Sequence, residues 1–298
     1  MTKKRLQSSF HYNFFERSQQ SNIITTIQQI NKSLSQSPIL SIIFLSTYIF
    51  FLLILPLTAL VLILFTNNFN EILKRAFDPI AVSAYILTLK MAFFAAFFNT
   101  IFGFLVTWVI IRYNFFGKKY LDAAVDLPFA LPTSVAGLTL TTVYGEQGWI
   151  GKFLHNLNFQ IVFTPYGVLL AMIFVSFPFV IRTLQPVLQE LDGTLEEAAW
   201  SLGANSWQTF SKIILPTLTP AIITGFTLSF SRALGEFGSI VMISSNLPLK
   251  DLVASVLIYQ SLEQYDYLGA SVIGIVVLFI ALLSLFLINT FQSLKFRS

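Results

Sequence analysis

Apolar positions in this chain come in long blocks rather than in the alternation of a half-buried strand. Six blocks follow one another, at residues 39–65, 91–111, 127–144, 166–181, 219–245 and 267–291. The second block has 21 residues, which span about 31 Å as a helix and match a hydrocarbon core of about 30 Å. The pattern predicts an all-α, polytopic membrane protein with about six transmembrane helices. The third block contains Pro128, Pro132 and Gly137, so it is expected to be irregular and shielded by protein rather than exposed to lipid.

Composition agrees. The chain of 298 residues is 55% hydrophobic and 11% charged, against about 25% charged in ordinary soluble domains. So little polar surface cannot cover a water-facing globule. The net charge of +4 is not concentrated in a Lys/Arg stripe, so nucleic acid is not an expected partner. There are no cysteines, which removes disulfide, thiol and iron–sulfur chemistry. His11 and His155 are too far apart to suggest a metal site, and no cofactor is expected.

Residues 1–38 differ in kind. They are rich in Ser, Gln and Asn, with Lys3, Lys4, Arg5, Arg17 and Lys32 against the single acid Glu16. No apolar stretch follows the first basic cluster, so this is not a secretory signal. A transit peptide and a flexible cytosolic-side tail both fit. Residues 39–298 are expected to form the membrane domain. Six spans put both termini on one side. The loops and tails of that side carry twelve Lys and Arg against four on the other, Lys74, Arg75, Lys152 and Lys250. The positive-inside rule then places the termini on the cytoplasmic or stromal side.

Between the fourth and fifth blocks lies a polar interruption. At helical spacing Val187, Leu188, Leu191, Leu195, Ala198, Ala199 and Leu202 form one stripe, with Glu190, Glu196 and Glu197 off it. This predicts one short amphipathic helix over 187–202, stopped by Gly203. Asn205 followed by Gln208 reads as an N-cap. A second short helix, ending at Leu215–Pro216, is predicted to carry Trp207, Phe210, Ile213 and Ile214.

Glu197-Ala198-Ala199, then Gly203, then Ile213-x-Leu215-Pro216 resembles the coupling loop of ATP-binding-cassette (ABC) import permeases, here spanning 187–218. Leu127-Pro128-x-Ala130-Leu131-Pro132, Phe177-Pro178-Phe179-Val180-x-Arg182-Thr183 and Ser231-Arg232-Ala233-Leu234-Gly235-Glu236-Phe237-Gly238 are similar to the sulfate and molybdate branch of that family. Asn246 to Ala270 is most similar to its sulfate/thiosulfate permeases. The resemblance implies the MetI-like permease fold and an importer for sulfate or thiosulfate. It also implies ATPase contact through Glu197, Ala198, Ala199, Gly203, Ile213, Leu215 and Pro216. The implied partners are a second permease of the CysW type, two ATPases of the CysA type and an outer sulfate-binding protein. Molybdate or tungstate is the alternative cargo.

Arg232 and Glu236 are opposite charges four residues apart inside the fifth block. Counted from Thr219, Arg232 falls beyond the midplane. Together with Gly235 and Gly238 the pair is expected either to shape the anion path or to fix helix packing. Lys90 reads as a snorkelling residue at the outer end of the second span. Lys118 and Lys152 follow glycines, but neither precedes Ser or Thr, so no phosphate-binding loop exists. Hydrolysis therefore belongs to another chain, and no catalytic residue is expected here. An ion-coupled secondary transporter would need midplane titratable groups beyond this pair.

Overall fold

The computed structural model describes residues 38–191 and 193–296. The tail 1–38, apart from Pro38, lies outside the described residues, and His11 with it. Contacts divide the chain into a first unit, Met1–Leu62, and a second, Ile63–Ser298. The described part of the first unit belongs to helix α1, Leu40–Phe65, with a mean hydropathy of 2.8.

The described residues of the second unit form helices joined by turns and loops, with no strand. In order come α2 (Phe69–Ala76), α3 (Pro79–Arg112), α4 (Lys118–Val125), α5 (Leu127–Ala130), α6 (Thr133–Tyr144) and α7 (Trp149–Asn156). Then follow α8 (Pro165–Glu190), α9 (Thr194–Ser201), α10 (Ser206–Leu234), α11 (Gly238–Ile243), α12 (Ala254–Glu263) and α13 (Tyr267–Phe296). Helices α1, α3, α8, α10 and α13 are long and apolar enough to cross a membrane.

Five of the six apolar blocks therefore become full-length helices, and the third does not. Leu131 before Pro132 is extended, at φ −90° and ψ 133°, because the proline ring excludes the helical region for its predecessor. The block breaks into α5 and the 12-residue α6, about 18 Å long.

Two other blocks differ from the expected bounds at their ends. Helix α3 starts at Pro79 and buries Ala81, Ala84, Tyr85 and Thr88, small and hydroxyl residues that break its apolar pattern. Lys90 is thus inside a 34-residue helix, exposed on its side, rather than at its outer end. The fifth block also does not run unbroken to residue 245: α10 stops at Leu234, and α11 begins at Gly238.

Helices α3, α8 and α10 form the centre. The fully buried Asn99 of α3 donates to Ile173 O at 3.1 Å and Ser176 Oγ at 2.8 Å on α8, and to Ser229 Oγ at 3.2 Å on α10. The Asn99 NH2, its two hydrogens shared among these three acceptors, thus links three helices, while its Oδ1 is buried without a hydrogen-bond partner among the described residues. Lower down, Val180 of α8 is clasped between two glycines. A Cβ on Gly103 would sit 2.9 Å from Val180 Cγ1, and one on Gly225 3.3 Å from Val180 Cα. These absences of side chain allow the close helix approach. Helix α6 packs on α11 in the same manner: a Cβ on Gly137 would meet Ser239 O at 2.4 Å.

Among the described residues, wide helical turns occur twice. Phe50–Ile54 in α1 and Phe210–Ile214 in α10 are five-residue π turns, each followed by Leu-Pro. The N–H of Leu55 reaches Phe50 O, and that of Leu215 reaches Phe210 O. The extra residue moves the helix past a proline that would otherwise clash with the carbonyl four residues earlier.

Candidate functional site

The polar interruption folds as a helix, a glycine turn and a second helix. Helix α9 ends in a left-handed Gly203, φ +85°. Gly203 N donates to Trp200 O at 2.9 Å and Ala204 N to Ala199 O at 3.0 Å, the paired bonds of a Schellman stop. Asn205 Oδ1 accepts from Gln208 N at 2.8 Å, and Asn205 N donates to Gln208 Oε1 at 3.0 Å. This reciprocal cap starts α10.

The helix boundaries differ from the expected ones. Val187 and Leu188 belong to the end of α8, and Leu188 packs on Ile214 and Leu218. Pro216 does not end the second helix, because the π turn carries α10 through it. The expected coupling residues split by exposure. Glu197, Ala198, Gly203 and Pro216 are exposed, Ile213 and Leu215 are half-buried, and Ala199 is buried. Leu195 and Leu202, expected to pack on the bundle, point outward instead. With Trp200 and Trp207 they leave a large apolar surface around the turn, Leu202 at 90% and Trp207 at 72% exposure.

The two neighbouring acids have different fates. The Glu197 carboxylate has no partner among the described residues, whereas Glu196 turns inward to an ion pair with Arg112, the last residue of α3. The Arg112 guanidinium lies 5.2 Å from the centre of the Trp108 ring. Trp108 meets Phe210 edge-on at 5.6 Å, and Phe210 stacks on Trp207 at 5.8 Å. Nearby, Arg182 clamps α8 to α4. It binds Asp126 through two nitrogens at 2.8 and 2.6 Å and Asp122 at 2.7 Å.

At the far end of α10 the second expected group comes together. Arg232 Nη1 lies 2.7 Å from Glu236 Oε2, and the Glu236 side chain is 1% exposed against 29% for Arg232. Glu236 Oε1 also accepts from Ser239 N at 3.0 Å and Ser239 Oγ at 2.9 Å. The pair therefore spans the break between α10 and α11. The carboxylate is held by a first-turn N–H of α11, and the arginine completes the C-terminal turn of α10. Gly235 is exposed with no atom within 4 Å of a would-be Cβ, whereas Gly238 has Thr133 Oγ1 at 2.2 Å. Because α10 begins at Ser206 rather than Thr219, Arg232 stands about 39 Å from its start.

Sequence reasoning missed several groups. Asn99 is a single amide in an apolar block. Arg112 and Glu196 are far apart in the chain. Fully buried Asp251 accepts from Ser245 N and Oγ, each at 2.6 Å; its only signal was an acid beside apolar residues. His155 lines a cavity of about 600 Å³ with Tyr144, Glu146, Gln147 and Gln160. No group of three metal-ligating side chains exists among the described residues.

Residues 99–298 match the family described as "Binding-protein-dependent transport system inner membrane component". A "Probable sulfate transport system permease protein cysT" of Chlorella vulgaris is 76% identical over 235 residues, 79% of this chain and 88% of that protein. The protein of the same description from Prototheca wickerhamii is 70% identical over 253 residues, 85% of this chain and 99% of that one. That from Marchantia polymorpha is 56% identical over 245 residues, 82% and 85% of the two chains. Among solved structures, a bacterial ABC transporter involved in import of the acidic polysaccharide alginate aligns with a TM-score of 0.71 at 19% identity, covering 89% of this chain and 98% of that one. The MetNI methionine transporter in an inward-facing conformation aligns with a TM-score of 0.52 at 19% identity, covering 73% and 95%. At such identities the likeness is one of fold.

Proposed function

This chain belongs to the family of binding-protein-dependent transport system inner membrane components, and we propose that it is the sulfate/thiosulfate permease subunit of an ATP-driven importer. It is a multi-pass membrane protein and a non-catalytic transport subunit. A second permease of the CysW type completes the path, two CysA-type ATPases dock from inside and a sulfate-binding protein delivers from outside. The relatives from algae and land plants favour a chloroplast membrane, with both termini on the stromal side.

The observation that carries this reading is the preformed, uncovered turn around Gly203. A loop that only joined two spans would not expose Leu195, Trp200, Leu202 and Trp207 together beside an unpaired Glu197. Contiguous apolar patches rimmed by polar groups mark protein contacts, and a cytosolic ATPase fits this one. Inward movement of a dianion against an interior-negative potential costs about 4.6 kcal/mol per 100 mV, and this chain has no phosphate-binding loop to draw on. At the far end, Arg232 attracts the anion, while buried Glu236 offsets its charge so that the path does not become a trap.

Gly203→Trp tests the docking assignment. No atom lies within 4 Å of a Cβ placed there, so the indole meets no clash, although the left-handed backbone at φ +85° strains any side chain. Membrane insertion is expected to survive, with ATPase association and uptake lost. Normal association and transport would sink the assignment. Labelled sulfate uptake with molybdate as competitor, in membranes holding all subunits, tests the cargo; a stronger preference for molybdate would reassign it.

A further inference from the structure

We propose that Arg112 is a positioning residue that carries movement of the docking turn into the central helices, acting through Glu196. The inference rests on reading α9 and the Gly203 turn as the ATPase contact.

Helix α9 has eight residues, of which Ala199 alone is buried. A helix this short has little stability of its own, so its position depends on what holds it. Among what holds it are the buried Ala199 and the Glu196–Arg112 ion pair. The pair is half-buried, with side-chain exposures of 17% and 24%, so it is less screened than a surface pair.

Arg112 is also placed to pass a displacement on. Its guanidinium sits on Trp108, and Trp108 meets Phe210, the first residue of the π turn. Phe210 stacks on Trp207 at the rim of the docking surface. Both arms of the turn therefore converge on one tryptophan of α3. Helix α3 is in turn locked to α8 and α10 through Asn99 and through the Gly103–Val180–Gly225 clasp. A shift of α9 pulls on the end of a helix that cannot move without its two neighbours. Glu197 and Glu196 thus divide the work: one faces the partner, the other reports to the bundle.

The test uses proteoliposomes holding the complete transporter, with sulfate moved per ATP hydrolysed as the readout. Arg112→Glu and Glu196→Arg are each expected to lower that ratio, measured per docked ATPase, about tenfold, within the range typical of coupling between sites. The double reversal Arg112→Glu with Glu196→Arg is expected to recover most of it. Arg112→Lys keeps the charge but loses the planar seat on Trp108, and is expected to give an intermediate ratio. An unchanged ratio in the single variants overturns the proposal. So does a double reversal no better than either single, or an Arg112→Lys ratio equal to wild type when the reversals only lower protein level. If Gly203→Trp leaves docking intact, the docking reading itself falls. If Gly203→Trp blocks docking while the Arg112 and Glu196 variants keep their ratio, only the present proposal falls.

Discussion

The turn at Gly203 and the break at Gly235–Gly238 both interrupt a greasy chain with glycine, yet they use it for opposite reasons. Gly203 has open space around it and a positive φ of 85°, so its requirement is conformational. Gly238 and its neighbour across the interface, Gly137, have no room for a side chain, so theirs is spatial. The first region is shaped by local caps and left uncovered. The second is shaped by packing between α6 and α11 and closes over a buried carboxylate. A surface meant for another protein must be complete before that protein arrives, so it is built from short-range bonds. A site inside the bundle can rely on tertiary contacts.

This contrast can be broken most severely at Gly137. A leucine there would drive its Cβ into Ser239 backbone, and neither helix can yield cheaply. We expect a loss of about 3 kcal/mol, the upper end of overpacking costs, read as a drop in folded protein in detergent. Normal yield and thermal stability would show that α6 and α11 are not held as closely as described. Next comes Arg232→Gln. It removes the partner of Glu236 but keeps the Ser239 bonds to that carboxylate, so folded protein is retained. Sulfate flux is expected to fall about tenfold, equivalent to about 1.4 kcal/mol. Unchanged flux at normal protein level would leave the pair with a packing role only. The smallest effect belongs to Gly203→Asn. Asparagine tolerates the left-handed region, so stability should change by about 1 kcal/mol or less and uptake should persist, in contrast to Gly203→Trp. Loss of uptake with asparagine would mean that the turn needs the bare glycine surface, not only its backbone shape.

What was legible in the sequence follows the same division. The Gly203 stop and the Asn205–Gln208 cap depend on neighbours within a few residues, and they stand where the pattern puts them; the apolar blocks hold as helices except in the broken third and at the ends of the second and fifth. The Arg232–Glu236 pair was legible because its members are one helical turn apart. Arg112–Glu196 and Asn99–Ser176–Ser229 were not, because their partners come from different helices and no local spacing marks them. Pro216 misled because a proline stop is a rule about α geometry, and the chain leaves that geometry for one turn. Leu195 and Leu202 misled because apolar periodicity says that a face will be covered without saying by which chain.

The wide turn at Phe210–Ile214 has one more consequence, and it concerns angular phase. Each residue advances an α-helix by about 100°, so one surplus residue sets everything before it out of step with everything after it by about that angle. Phe210, at the start of this offset, meets Trp108 and carries Trp207 stacked on it, while Leu218, beyond it, packs with Leu188. The spacing between docking surface and membrane helix is therefore a matter of residue count as much as residue type. Deleting a single amino acid from 210–214, whatever its identity, would leave a good helix whose two ends point to the wrong neighbours. The same Ile-Leu-Pro ending after Phe50–Ile54 in α1 places a second such phase step in the chain.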